Sequence, residues 1–295
     1  MDVAERIRSP EVTASIELYP PQDEKGFSRL MREVGRIHEG MEVAFTSVTY
    51  GAGGSTRDGT LRVVLALAAR YPGRVVAHLT CVGSGEAELA ELMGIYKKNE
   101  MRNILALRGD LPPGMAPEEA TAGGFHYAAD LVRWLRKVGG FSSIGVACHP
   151  EGHPETPERS EDLEHFVAKV EAGANYAITQ FFFENSLYER FREEVLRRGV
   201  KVPIVPGILP VRDIDQLLRF AGRCGASVPA WVVSALEPYR GDPKAFKEKS
   251  ADLAAAQIRE LESMGVRHFH IYVLNKSDIL LRIADRLDWR KEVPA

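Results

Sequence analysis

The chain alternates between two hydrophobic periods. Residues 12–18 place Val12, Ala14, Ile16 and Leu18 on one side and Thr13, Ser15 and Glu17 on the other, a period of two that predicts a strand. Tyr19-Pro20-Pro21 ends it, because proline cannot donate to a strand ladder. Phe27, Leu30, Met31, Val34 and Ile37 then recur at helical spacing over residues 24–39. The same exchange repeats. Strands are predicted over residues 43–48, 74–80, 104–107, 142–147, 176–180, 202–205 and 268–273. Helical stripes separate them, at Leu61 to Ala68, residues 86–98, 126–138, from Glu161, 186–198, 211–223 and 243–264, with a last helix over 277–287. Ile104 to Leu107 is an unbroken apolar run, too short for a buried helix and suited to a strand covered on both faces. Residues 1–11 read as a polar lead-in.

Eight strands alternating with helices predict an α/β fold with a parallel sheet, closed as a (β/α)8 TIM barrel. The segment 225–265 exceeds one loop and one helix, so an extra helix is expected before the eighth strand. No linker, composition break or low-complexity block divides residues 1–295, which predicts a single barrel domain. The 45% hydrophobic and 27% charged content is that of a globular chain with ample core. A net charge of −3 favours neither nucleic acid nor an anionic membrane as partner. No run of about 18 apolar residues suggests a membrane span. The amino terminus has no apolar signal region, and Cys81, Cys148 and Cys224 form no CxxC pair, which together suggest a reducing, cytoplasmic setting.

Chemistry gathers at the strand ends. All strands but the seventh finish in a polar or reactive group: Glu17, Thr49, His78 with Thr80, Arg108 with Asp110 across Gly109, His149, Gln180, and Tyr272 with Asn275. In a barrel these ends share one rim, where active sites of such enzymes lie. Singly, each is also how a solvated turn or a hydrogen-bonded core residue looks. Thr49 leads into Gly51-Ala52-Gly53-Gly54-Ser55-Thr56, which lacks the third glycine of a dinucleotide fingerprint and a Walker lysine. Residues 111–117, with Pro112, Pro113 and Pro117, read as a stiff rim or lid. His149 and His153 stand four apart, but Pro150 and Gly152 argue against a helical metal pair, and no metal is expected. Acids, neutral donors and glycine-lined concavities suit a bulky planar cofactor with one acid for proton transfer.

Several motifs together resemble the methylenetetrahydrofolate reductase family. They are Ser15-Ile16-Glu17-Leu18-Tyr19-Pro20-Pro21, Thr49 to Gly54, His78-Leu79-Thr80-Cys81, Asn103 to Asp110, His153-Pro154-Glu155, Ala172-Gly173-Ala174 with Thr179 to Phe183, and Pro206 to Pro210. The resemblance spans nearly the whole chain. It implies a flavin barrel that uses FAD and NADH or NADPH to turn 5,10-methylenetetrahydrofolate into 5-methyltetrahydrofolate, in one-carbon metabolism and methionine biosynthesis. Glu17 would be the general acid that opens the folate ring to an iminium, and its pKa is expected to be raised by a desolvated site. Asp110 would touch flavin and pterin, and Gln180 would contact folate and nicotinamide in turn. The resemblance sets Thr49, His78, Arg108, Gly109, Asp110, Ala147, His149, His153, Asp162 and Lys169 against FAD. It sets Glu17, Gln180, Tyr272 and Lys276 against folate. His149 stands where tyrosine is common in the family and Lys276 where arginine is. A homo-oligomer, dimer or tetramer, rests on the resemblance alone, as does the expectation that S-adenosylmethionine does not inhibit. The rival readings are another flavin barrel, such as a proline-dehydrogenase-like oxidase, and a non-catalytic barrel subunit.

Overall fold

The computed structural model describes residues 2–50, 57–111, 114, 116 and 121–291. The expected glycine-rich loop at 51–56 and most of the proline loop at 111–117 lie outside them. The strands are β1 (Thr13–Leu18), β2 (Thr46–Val48), β3 (Val75–Thr80), β4 (Asn103–Leu107), β5 (Ser143–Cys148), β6 (Tyr176–Thr179), β7 (Ile204–Val205), β8 (Gly207–Ile208) and β9 (His268–Tyr272). All pair in parallel in the order β7-β6-β5-β4-β3-β2-β1-β9-β8. Residues 43–45, expected in the second strand, still bond to β1: the Ala44 N–H donates to Ala14 O at 2.8 Å, and the Ile16 N–H to Phe45 O at 3.2 Å.

The seam explains why one expected strand appears as two. β7 pairs with β6 and β8 with β9, and the pair are halves of one strand broken at Pro206. Proline brings no N–H to the ladder, but its carbonyl accepts from the His270 N–H at 3.0 Å. The Gly207 N–H turns inward to Thr179 Oγ1 at 2.8 Å. A Cβ at Gly207 would lie 2.4 Å from Thr179 O and 2.6 Å from the Tyr272 ring, so only glycine allows the barrel to close here.

Helices α2 (Glu24–Gly40), α3 (Arg57–Arg70), α4 (Glu86–Lys98), α5 (Ala128–Val138), α6 (Arg159–Glu171), α7 (Asn185–Arg197) and α8 (Ile214–Cys224) follow successive strands. The extra helix is α9 (Ala230–Leu236) with a 3-10 turn at Glu237–Tyr239, ahead of α10 (Pro243–Ser263), β9 and α11 (Asp278–Arg286). The wall alternates as read: Ala14, Ile16 and Leu18 pack into the main apolar cluster with Leu30, Val34 and Ile37 of α2.

The polar lead-in is corrected. Residues Val3–Ile7 form α1, with Asp2 and Glu5 closing a capping box. Val3, Ala4 and Ile7 join Phe45, Val76, Leu105, Tyr176, Ile178 and Val205 in a second cluster that plugs the amino-terminal end of the barrel. Five residues are too few for a periodicity to show in the sequence, and tertiary packing holds the helix.

Candidate active site

Inside the barrel, β1 and β9 run side by side with their polar residues in register: Thr13 with His268, Ser15 with His270, and Glu17 with Tyr272. The period-two alternation that buries the apolar side of β1 against helices turns its polar side inward. Glu17 ends this column. Its Oε2 lies 3.5 Å from His78 Nε2 and 3.6 Å from His270 Nε2. Both imidazole nitrogens are buried without a hydrogen-bond partner among the described residues. His270 Nδ1 lies 2.7 Å from Ser15 Oγ. The Tyr272 hydroxyl donates to Thr179 O at 2.7 Å, and burial drives its pKa well up.

Burial pushes the Glu17 carboxyl up, but the His270 contact and positive charge on His78 and His270 pull it further down, leaving it below the ordinary carboxylate value. The expected raised pKa is therefore not a property of the ligand-free site. Burial holds His78 itself at about 4, hence neutral at pH 7. That removes one of the two charges favouring the carboxylate.

The cleft continues from Glu17 across the carboxyl ends of β3 to β6. A hollow of about 460 Å³ holds Glu17, Thr49, His78, Tyr272 and Gln180. An adjoining one of about 330 Å³ holds Thr80, Arg108, Gly109, His153, Asp162 and Lys169. Asp110, Ala147, His149 and Gln180 line both, so the two form one elongated site. Two residues past the end of β4, Gly109 has φ +89°, and an added Cβ there would meet Thr80 Cβ at 2.9 Å. The reversed backbone lets Arg108 O accept from the Cys81 and Val82 N–H groups at 3.1 and 2.9 Å. Arg108 pairs with Glu155. Lys169 of α6 reaches inward and donates to Ala147 O at 2.7 Å, its pKa lowered by burial. Asp162 sits two α6 turns earlier, its pKa raised by burial against the pull of Lys169, Arg159 and His153. His149 is pushed down to about 3 by burial and by Lys169. It meets His153 edge-on, ring centroids 4.7 Å apart, and among the described residues no three His, Cys, Asp or Glu side chains cluster as a metal site.

The structure thus brings the candidate residues to one cleft, apart from Asn275 and Lys276. That lysine is exposed in a neighbouring hollow beyond Tyr19, with Arg29 and Arg36. Sequence reasoning missed Tyr50, Leu209, Phe220 and Cys224 of the cleft wall. The last two come from α8, where they look like helix-stripe residues and nothing local marks them. It also left Ser15 and His270 unassigned, although polar residues at every second position of a strand buried on both faces signal an inward polar column.

A parallel barrel thus carries a carboxyl group between histidines at one end of a long cleft and two half-buried cations, Arg108 and Lys169, at the other, at the rim where enzymes of the barrel class hold their sites. Residues 2–288 match the family model for methylenetetrahydrofolate reductase. The 5,10-methylenetetrahydrofolate reductase of Pectobacterium carotovorum is 37% identical over 96% of this chain and 92% of its own length. That of Escherichia coli K12 is 36% identical over 95% and 92%. A solved Clostridium thermocellum protein, described as binding two copies of 5-methyl-5,6,7,8-tetrahydrofolic acid, shares the fold at a TM-score of 0.63 and 15% identity, over 97% of this chain and 96% of its own. The chain belongs to the methylenetetrahydrofolate reductase family.

Proposed function

We propose that the protein reduces 5,10-methylenetetrahydrofolate with NADH or NADPH through bound FAD, and that Glu17 is the general acid. The observation that carries this reading is the Glu17 carboxyl, set between two buried histidines at the inner end of the cleft and 22% exposed toward it. FAD would supply the hydride-carrying ring between the two substrates. The residues present suit it. Thr80 Oγ1 and His78 Nε2 are buried donors or acceptors without partners among the described residues. Gly109 leaves backbone free to approach a ring, and Lys169 and Arg108 suit the pyrophosphate or ribityl region.

Glu17 would protonate the bridging nitrogen of the folate and open its ring. Asp110, exposed at the junction of the two hollows, would hydrogen-bond the pterin beside the flavin. Gln180 lines both hollows, and its Oε1 accepts from the Phe181 N–H at 3.0 Å, which leaves its NH2 for folate and then nicotinamide. Tyr272 and, from the rim, Lys276 would meet the folate.

Purified protein reconstituted with FAD should be yellow, should bleach anaerobically with NADH or NADPH, and should recolour on adding 5,10-methylenetetrahydrofolate. Failure to bind FAD, or a bleached form that the folate cannot reoxidise, would end this reading. Comparing the two nicotinamides in the same assay settles the preferred donor.

A further inference from the structure

The polar column does not stop at Ser15. His268 Nε2 lies 3.0 Å from Ser15 Oγ, and His268 Nδ1 lies 2.6 Å from Thr13 Oγ1. A hydrogen-bonded chain therefore runs Thr13–His268–Ser15–His270, and a 3.6 Å contact carries it on to Glu17, from the plugged end of the barrel to the cleft. His268 also borders an open hollow of about 580 Å³ beside α1 and β7, on the side away from the cleft.

We propose that His268, anchored by Thr13, is a positioning residue that fixes through the Ser15 hydroxyl which nitrogen of His270 carries its proton. This rests on Glu17 being the acid, and it concerns residues that do not touch a ligand.

The polarity of the chain follows from counting hydrogens. A neutral imidazole offers one donor and one acceptor, and a serine hydroxyl has one hydrogen. Burial holds His268 at about 3, so it is neutral at pH 7, and the proposal concerns His270 in its neutral form. In one direction the Thr13 hydroxyl donates to His268 Nδ1, His268 Nε2–H donates to Ser15, and Ser15 donates to His270 Nδ1. His270 Nε2–H then faces the Glu17 carboxylate. In the other direction His270 Nδ1–H donates to Ser15 and Ser15 donates to His268 or, over 3.4 Å, to Phe269 O. The bare lone pair of His270 Nε2 would then face an anion, which is unfavourable until Glu17 is protonated. The first direction serves the ionised acid and the second the protonated acid. His268 is the member that makes each state complete. Without it, Ser15 loses the donor that commits its own hydrogen to His270.

The test uses the FAD-loaded protein labelled with 15N-histidine. NMR should show His270 and His268 each as the single Nε2–H tautomer near neutral pH. His268→Phe keeps a ring beside Phe45, 5.4 Å away by centroid, but cannot bond Ser15. It should give mixed His270 tautomers and slow folate reduction about tenfold, a fraction of what an acid itself supplies, with flavin reduction by nicotinamide unchanged. His268→Gln, whose amide can donate to Ser15, should restore both the tautomer and most of the rate. Should His268→Phe fail to fold, Thr13→Val carries the test, with the same direction and a smaller effect. A wild-type His270 tautomer in His268→Phe or Thr13→Val, equal slowing of both half-reactions, or no recovery with glutamine would overturn the proposal. If Glu17→Gln still reduced folate, the acid assignment would fall while the tautomer result stood on its own.

Discussion

Glu17 is ionised in the free protein at neutral pH, because the histidine contacts outweigh the cost of burial. To act as the proposed acid Glu17 must carry a proton, so the proton would have to arrive with the substrate. Closing the cleft with a bulky folate removes solvent from the carboxylate and raises its pKa, and the already neutral His78 offers little resistance. Folate binding should therefore take up as much as one proton near pH 7. The sign follows: affinity falls as pH rises above the free Glu17 pKa, by at most about tenfold per pH unit. Calorimetry in two buffers of different ionisation heat measures the uptake, and Glu17→Gln should abolish it. Gly109 supports a second prediction at this scale. Alanine there meets both the positive φ and Thr80, so Gly109→Ala should cost about 1–3 kcal/mol and lower flavin retention, read by thermal melts and bound-FAD absorbance.

At the scale of elements, β1 and β4 were legible because their patterns state their surroundings. Alternation in β1 separated wall from interior, and the apolar run of β4 marked a strand covered on both faces. The seam was less legible. Val202 to Val205 looks like an ordinary short strand, and only the structure shows that it resumes past Pro206. Gly207→Ala should open this seam, pushing a Cβ into Thr179 and the Tyr272 ring. The expected result is a cooperative loss of stability of at least about 2 kcal/mol in urea unfolding, with folate turnover lost as Tyr272 shifts. α1 was not legible at all, since five residues give no period. Ile7→Ala should destabilise by about 2 kcal/mol, the low end for a buried isoleucine because the neighbouring hollow permits collapse. Both half-reactions should keep their wild-type rates, because α1 plugs the far end of the barrel.

For the whole molecule, parallel closure carries strand ends from residues 17 to 272 to one rim, and that made the candidate site readable before any contact was known. Convergence by topology needs only strand order. What it does not supply is distance: the wall residues Phe220 and Cys224 come from a helix, and Lys276 sits outside the two joined hollows. Family membership gives the overall reaction, and the proposed division of labour sets Glu17 toward the folate and Lys169 and Arg108 toward the cofactor. That division separates the two half-reactions, since hydride transfer from nicotinamide needs no acid at the folate. Anaerobic stopped-flow of Glu17→Gln, following flavin absorbance through each half-reaction, tests it most directly. Reduction by NADH or NADPH should stay near the wild-type rate, while reoxidation by 5,10-methylenetetrahydrofolate should fall by at least about 10²–10⁴-fold. Equal losses in both half-reactions, or folate reduction that survives the substitution, would contradict the account.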